Sequence, residues 1–191
     1  MKTYYNILDW FVGLFVTPTL EQTAKNFAIR AHRSTNHKYD GKPYSVHLKM
    51  VVKYAKKYIN LIPEDKRAIV IAACWLHDTI EDCRLTYNDI MEVFGKEVAN
   101  IVYAVSNEKG KNRKQRANDK YYQGIRNNEL AIFTKICDRL ANVEYSKFDA
   151  KNKRMFNNYW TENPNFRKEL CVANYLTMFD FMDIMLFEKY G

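Results

Sequence analysis

At 191 residues, 47% of them hydrophobic and 15% aromatic, the chain can bury one substantial core and reads as a single domain over 1–191. Six glycines and four prolines punctuate it sparsely, which favours helices joined by short loops over a sheet-rich fold. The formal charge of +8 calls for an anionic partner, whether nucleotide, nucleic acid or acidic surface, and by itself does not choose among them.

Residues 1–16 are apolar enough to resemble the core of a secretion signal, but Asp9 interrupts them and no small-residue cleavage site follows. The stretch is too short to span a bilayer and reads as an amphipathic or packing helix ending near Thr17-Pro18, with a membrane-surface role as the alternative. From 20 to 33, Ala24, Phe27, Ala28 and Ala31 recur with helical spacing, and a polar, glycine-containing loop follows over 34–43. A second helix starts near Tyr44 and carries His47, Met50, Val51 and Tyr54; Pro63-Glu64-Asp65 marks the entry to a third.

That third helix runs as apolar core from Ile69 to Leu76 and then meets Trp75-Leu76-His77-Asp78-Thr79-Ile80-Glu81-Asp82, a histidine and three carboxylates inside two turns. On a continuous helix His77, Asp78, Glu81 and Asp82 fall within roughly a 140° arc and face one cavity. Unpaired acids so close repel one another, and a divalent cation would neutralise them. Histidine beside carboxylate suits a borderline or hard transition metal. The bland alternative is a solvated helix end.

Thr86 with Asp89 three residues on caps a short helix ending at Phe94-Gly95, and 97–106 forms another with Val98, Ile101, Val102 and Val105 on one face. The basic run 108–116 is either a solvated loop or a phosphate grip. Residues 130–143 are apolar and helical yet hold Lys135, Asp138, Arg139 and Asn142, of which Lys135, Asp138 and Asn142 share an arc of roughly 60°. Residues 149–162 form a further helix, and 165–190 one long helix rich in Phe, Met and Leu. Cys74, Cys83, Cys137 and Cys171 lack zinc-site spacing and read as reduced thiols of a cytoplasmic protein. There is no internal repeat, low-complexity tract or transmembrane span.

Inward-facing ligands from several helices are the usual way a helical bundle holds a catalytic metal. His47, then His77-Asp78, then Asp138 match the order H...HD...D of the HD phosphohydrolase superfamily. The stretches Ala31-His32, Gly41-Lys42-Pro43-Tyr44-Ser45-Val46-His47, Leu76-His77-Asp78-Thr79-Ile80-Glu81-Asp82, Thr86...Ile90...Phe94-Gly95...Val98 and Lys135-Ile136-Cys137-Asp138-Arg139-Leu140-Ala141-Asn142 further resemble the hydrolase domain of RelA/SpoT-type enzymes and the stand-alone small alarmone hydrolases. The resemblance covers roughly 23–144, with 149–191 as a C-terminal helical extension.

The resemblance implies an all-α HD-domain bundle, a divalent ion that is commonly manganese, and removal of the 3′-pyrophosphate of (p)ppGpp. It implies His47, His77, Asp78 and Asp138 as metal ligands and Glu81 and Asp82 as the catalytic pair. Asn142, Lys135, Arg139, Arg113, Lys114 and Arg116 would meet the nucleotide and its phosphates, with no stable nucleic-acid partner. His32 stands outside the ligand set. Three departures are visible: Leu48 follows His47 where the family typically has proline; His37 and Lys38 align only with a shift to the basic pair that embraces the guanine; and the synthetase and regulatory domains of the long enzymes are absent, which implies a stand-alone hydrolase. The rivals are an HD phosphohydrolase acting on an adenosine alarmone, a dinucleotide or a dNTP, and a non-catalytic cationic module that binds RNA or protein.

Overall fold

Thr19 accepts a hydrogen bond from the Gln22 backbone amide at 3.2 Å, and the Gln22 side chain accepts one from the Thr19 amide at 2.9 Å. This reciprocal cap starts the first helix, α1 (Leu20–Ser34). The computed structural model describes residues 17–106, 113–148 and 150–187, with the backbone alone at 113, 114 and 150. The helix expected over 1–16 lies outside the described residues.

After α1 come a two-stranded hairpin, β1 (Lys38–Tyr39) and β2 (Lys42–Pro43), then α2 (Ser45–Lys57), α3 (Arg67–Leu76), α4 (Thr79–Asp82), α5 (Tyr87–Val105), α6 (Arg113–Arg116), α7 (Asp119–Arg126), α8 (Glu129–Phe148), α9 (Lys153–Leu170) and α10 (Leu176–Phe187). Two helices are central. In α3 every residue from Val70 to Leu76 is buried, and α1, α2 and α5 pack around it. In α8 the buried set runs from Ala131 to Ser146 and receives α2, α5, α7, α9 and α10. The all-α class is as the glycine and proline count indicated; α8 holds charge within its apolar run, and the apolar α3 runs directly into His77-Asp78.

The loop expected over 34–43 is partly ordered as the hairpin, with Lys38 opposite Pro43 and Tyr39 opposite Lys42. Asp40 and Gly41 at its tip have φ of 51° and 75°, the left-handed pair a tight hairpin turn requires.

The acidic run differs from the sequence expectation. Helix α3 stops at Leu76, Asp78 sits at φ −98°, ψ 1°, and the chain resumes as the single turn α4. His77 and Asp78 therefore occupy a break between two helices, and the 140° arc of a continuous helix does not apply. The C-terminal region also differs. Helix α9 runs through Pro164 and ends at Leu170, because Phe166 and Leu170 beyond the proline are each 1% exposed and hold that segment in the core. The chain turns at Val172, which is extended at φ −118°, ψ 155°, so α10 folds back onto α8 in place of one helix over 165–190. Arg167 fastens the turn by bonding Asp183 at 2.7 Å and Asp180 at 3.0 Å.

Gly95, at φ 82° and ψ 166°, kinks α5 into the two arms expected from the sequence. A methyl group there would meet nothing within 4 Å, so the cost of replacing it is backbone strain alone. Gly95→Ala is expected to destabilise the chain by about 1–3 kcal/mol. Thermal unfolding followed by circular dichroism measures this, at roughly 2–4 °C per kcal/mol for a chain this long. Among the described residues no helix is long and apolar enough to cross a membrane, and Cys74, Cys83, Cys137 and Cys171 are free thiols.

Candidate metal centre

Three separate parts of the bundle deliver the expected ligands to one point. His47 comes from the first turn of α2, His77 and Asp78 from the α3–α4 break, and Asp138 from the middle of α8. The Nε2 atoms of His47 and His77 are 3.2 Å apart. Asp78 Oδ2 lies 2.7 Å from His77 Nε2 and 3.6 Å from His47 Nε2, while Asp138 Oδ1 lies 3.2 Å and 3.8 Å from the nitrogens of His47 and His77. One donor atom each from His47, His77 and Asp78 fits within 4.8 Å of the others.

Proton placement sharpens the case for a cation. His77 Nδ1 is 3.0 Å from the Cys74 carbonyl, so Nδ1 carries the proton and donates, and a neutral ring turns the Nε2 lone pair inward. That lone pair would face another imidazole nitrogen and two carboxylate oxygens, an arrangement that repels unless positive charge sits among them. In the bare protein, protons supply it. Burial opposes a charged His47, but its hydrogen bonds to Asp138 and Asp78 outweigh burial and raise it to about 9. Burial likewise opposes an ionised Asp138, yet Lys135 and the two histidines hold its carboxyl well below the usual range. Two imidazoles and two carboxylates fit a divalent ion of borderline or hard character.

Neighbouring groups fix these side chains. The Tyr44 hydroxyl donates to Asp78 Oδ2. Asn142 Nδ2 donates to Asp138 Oδ1 at 2.6 Å, and Lys135 Nζ is 3.0 Å from Asp138 Oδ2. Lys135 thus holds Asp138 while its side chain lines the adjoining cavity.

A cavity of about 220 Å³ opens from this cluster. Glu81 and Asp82 line it beside Asp78; Arg116, Lys135 and Arg139 supply positive charge; Tyr121, Tyr122, Tyr159 and Phe166 form an aromatic wall. Arg116 is 3.5 Å from Glu81, and Arg139 bonds Glu162 at 2.8 Å with its guanidinium over the rings of Tyr159 and Phe166. Burial, then the charges of Asp78 and Glu81, push Asp82 up to about 7.

His37 and Lys38 do not line this cavity. They face a second cleft of about 310 Å³ behind Tyr44, although His37 Nδ1 comes within 3.6 Å of Asp82. His32, 2% exposed, stacks on Tyr44 at 4.2 Å and meets His37 rather than the cluster. The side chains of Arg113 and Lys114 lie outside the described residues.

The profile of the HD domain matches residues 24–155. The chain belongs to the HD-domain family. Among curated relatives, the Danio rerio guanosine-3′,5′-bis(diphosphate) 3′-pyrophosphohydrolase MESH1 is 31% identical over 119 residues, 62% of this chain and 64% of that protein. The Aquifex aeolicus guanosine-3′,5′-bis(diphosphate) 3′-pyrophosphohydrolase is 34% identical over 127 residues, 64% of this chain and 17% of its own length. A solved structure described as a metazoan ortholog of SpoT that hydrolyzes ppGpp shares the fold, with a TM-score of 0.66 at 19% identity over 93% of this chain and 98% of its own. The chain thus matches slightly under two thirds of the length of the zebrafish relative.

The HD match ends near the start of α9, so Tyr159, Glu162 and Phe166, which also line the cavity, lie beyond the matched residues. Sequence reasoning missed them, and it gave Tyr44 no role although that residue stands inside the motif quoted for His47. Its signal was there: a tyrosine three residues before a candidate ligand, on the same helical face.

Proposed function

We propose that this HD domain is a metal-dependent phosphohydrolase that removes the 3′-pyrophosphate of (p)ppGpp. The observation that carries the reading is the convergence of His47, His77, Asp78 and Asp138 on one buried point, with the acidic pair Glu81 and Asp82 and the cations Arg116, Lys135 and Arg139 lining the adjoining cavity. Similarity to guanosine-3′,5′-bis(diphosphate) 3′-pyrophosphohydrolases supports this substrate.

In this reading the four side chains hold a divalent ion, manganese by resemblance, which when bound acidifies water and stabilises charge on the attacked phosphoryl group. Glu81, outside the ligand set but lining the same cavity, accepts the proton of the attacking water. Asp82, which lines the same cavity, orients that water by a hydrogen bond or holds the groups around the ion. Water adds to the phosphorus joined to the 3′ oxygen, that P–O bond breaks, pyrophosphate leaves, and the 3′ oxygen takes up a proton. Arg116 and Arg139 face the entering phosphates as fixed cations in a partly enclosed site, where charge-assisted bonds are strongest. The excess positive charge then serves a nucleotide, with no stable nucleic-acid partner, in the cytoplasm.

A second reading, hydrolysis of another nucleotide, draws on one observation. His37 and Lys38, the pair the resemblance sets around the guanine, line the cleft behind Tyr44 and not the main cavity. Incubation with Mn²⁺ and a panel of ppGpp, an adenosine alarmone, a dinucleotide and a dNTP, with products resolved by chromatography, separates the two. Pyrophosphate released from ppGpp in preference to the others is the expected result. Release from a different nucleotide alone favours the second reading, and no hydrolysis by the Mn²⁺-loaded chain favours a binding module.

A further inference from the structure

The hairpin between α1 and α2 is clamped onto the end of α8. Asp40 at its tip accepts hydrogen bonds from the Tyr145 hydroxyl at 3.1 Å and Asn152 Nδ2 at 3.3 Å, and Lys42 Nζ donates to the Tyr145 hydroxyl at 3.2 Å. Tyr39, on the first strand, therefore enters the bundle from a fixed position. Its ring lies nearly parallel to the His47 imidazole, with centroids 4.8 Å apart and planes at 22°, and edge-on to Tyr145 at 4.7 Å. Its hydroxyl donates to Asn142 Oδ1 at 2.9 Å. The same amide donates through Nδ2 to Asp138 Oδ1, the oxygen that lies 3.2 Å from His47 Nε2.

The relay has only one sensible polarity. An ionised Asp138 accepts and cannot donate, so the Asn142 NH₂ must face it and the amide oxygen must face Tyr39. The phenol hydroxyl lies 2.9 Å from Asn142 Oδ1 and is the donor the amide oxygen needs. Both polar atoms of Asn142 are thereby turned onto protein partners. A ligating carboxylate held by such outer hydrogen bonds binds its metal more tightly than one free to rotate.

We propose that Tyr39 is a positioning residue for the metal centre: through Asn142 it sets which oxygen of Asp138 turns to the two imidazoles, and through its ring it fixes the plane of His47. The inference rests on the proposed metal-dependent function. It adds to the four ligands a residue in a polar loop, joined to Asn142 across 103 positions of sequence.

The test is Mn²⁺ affinity of the chelator-treated full chain, measured by titration calorimetry for the parent, Tyr39→Phe, Asn142→Ala and the double variant, beside thermal midpoints of the metal-free proteins. Tyr39→Phe keeps the ring and loses the donor, so it should weaken Mn²⁺ binding about tenfold with little change in the metal-free midpoint. In the Asn142→Ala background the same substitution should have no further effect, because the relay is already cut. Parent-like affinity of Tyr39→Phe, or an undiminished tenfold effect in the Asn142→Ala background, overturns the proposal. A parent that takes up no Mn²⁺ overturns the metal-dependent function itself, and the two failures are therefore distinct.

Discussion

Asp78→Ala is expected to lose the metal and turnover together, with Mn²⁺ affinity falling by at least about 100-fold, beyond what removing a mere supporting residue does. The carboxylate is the hub of the cluster: its Oδ2 is 2.7 Å from His77, 3.6 Å from His47, and accepts the Tyr44 hydroxyl. Alanine takes away one of the two negative charges that face the imidazoles and leaves the Tyr44 hydroxyl, in a side chain 8% exposed, without its acceptor. The unpaired hydroxyl costs about 1–3 kcal/mol of stability. Metal content by mass spectrometry, turnover, and a circular dichroism spectrum on the same sample separate loss of the ion from loss of the fold. Full metal content with no turnover would remove Asp78 from the ligand set.

Most of this centre was legible in the sequence because charge inside an apolar helix has few bland explanations. In α8 the expected arc of Lys135, Asp138 and Asn142 holds, since that helix is unbroken and all three line the cavity. At the acidic run Asp78, Glu81 and Asp82 do line one cavity, but the geometry differs from the expected one. The arc assumed a continuous helix, whereas the chain breaks at His77-Asp78, and it is this break that turns His77 toward His47 while Glu81 and Asp82 face the cavity. Pro164 misled in the opposite direction: a proline is a boundary signal, yet the buried Phe166 and Leu170 beyond it outweigh the lost hydrogen bond.

What stayed illegible was carried by contacts rather than by residue type. Tyr39 looks like a loop tyrosine until the hairpin brings it to Asn142, 103 residues away. Glu162 looks like a solvated helix residue until Arg139 meets it from another helix. His37 and Lys38 were placed by resemblance alone, and the stack of His37 on Tyr44 at 4.1 Å holds that ring in the second cleft. Spacing along one element reports which residues share a face. It does not report which face of another element they will meet.

Glu81→Gln is expected to keep the metal and lose turnover, with kcat down by about 10²–10⁴ and KM little changed. Glu81 stands on the α4 turn just past His77, lines the cavity, and has Arg116 at 3.5 Å, but it is not among the groups that crowd the two imidazoles. Glutamine keeps its size and an acceptor oxygen and gives up the charge and the basicity, so a group that only filled space or bonded Arg116 would survive the change. A second readout follows from its neighbour. Asp82 is pushed to about 7 by burial and then by the charges of Asp78 and Glu81, and removing the Glu81 charge favours ionised Asp82, so the acidic limb of the residual pH profile should move to lower pH. Metal loss as complete as that of Asp78→Ala would make Glu81 a ligand; full turnover would take the proton-accepting role from Glu81.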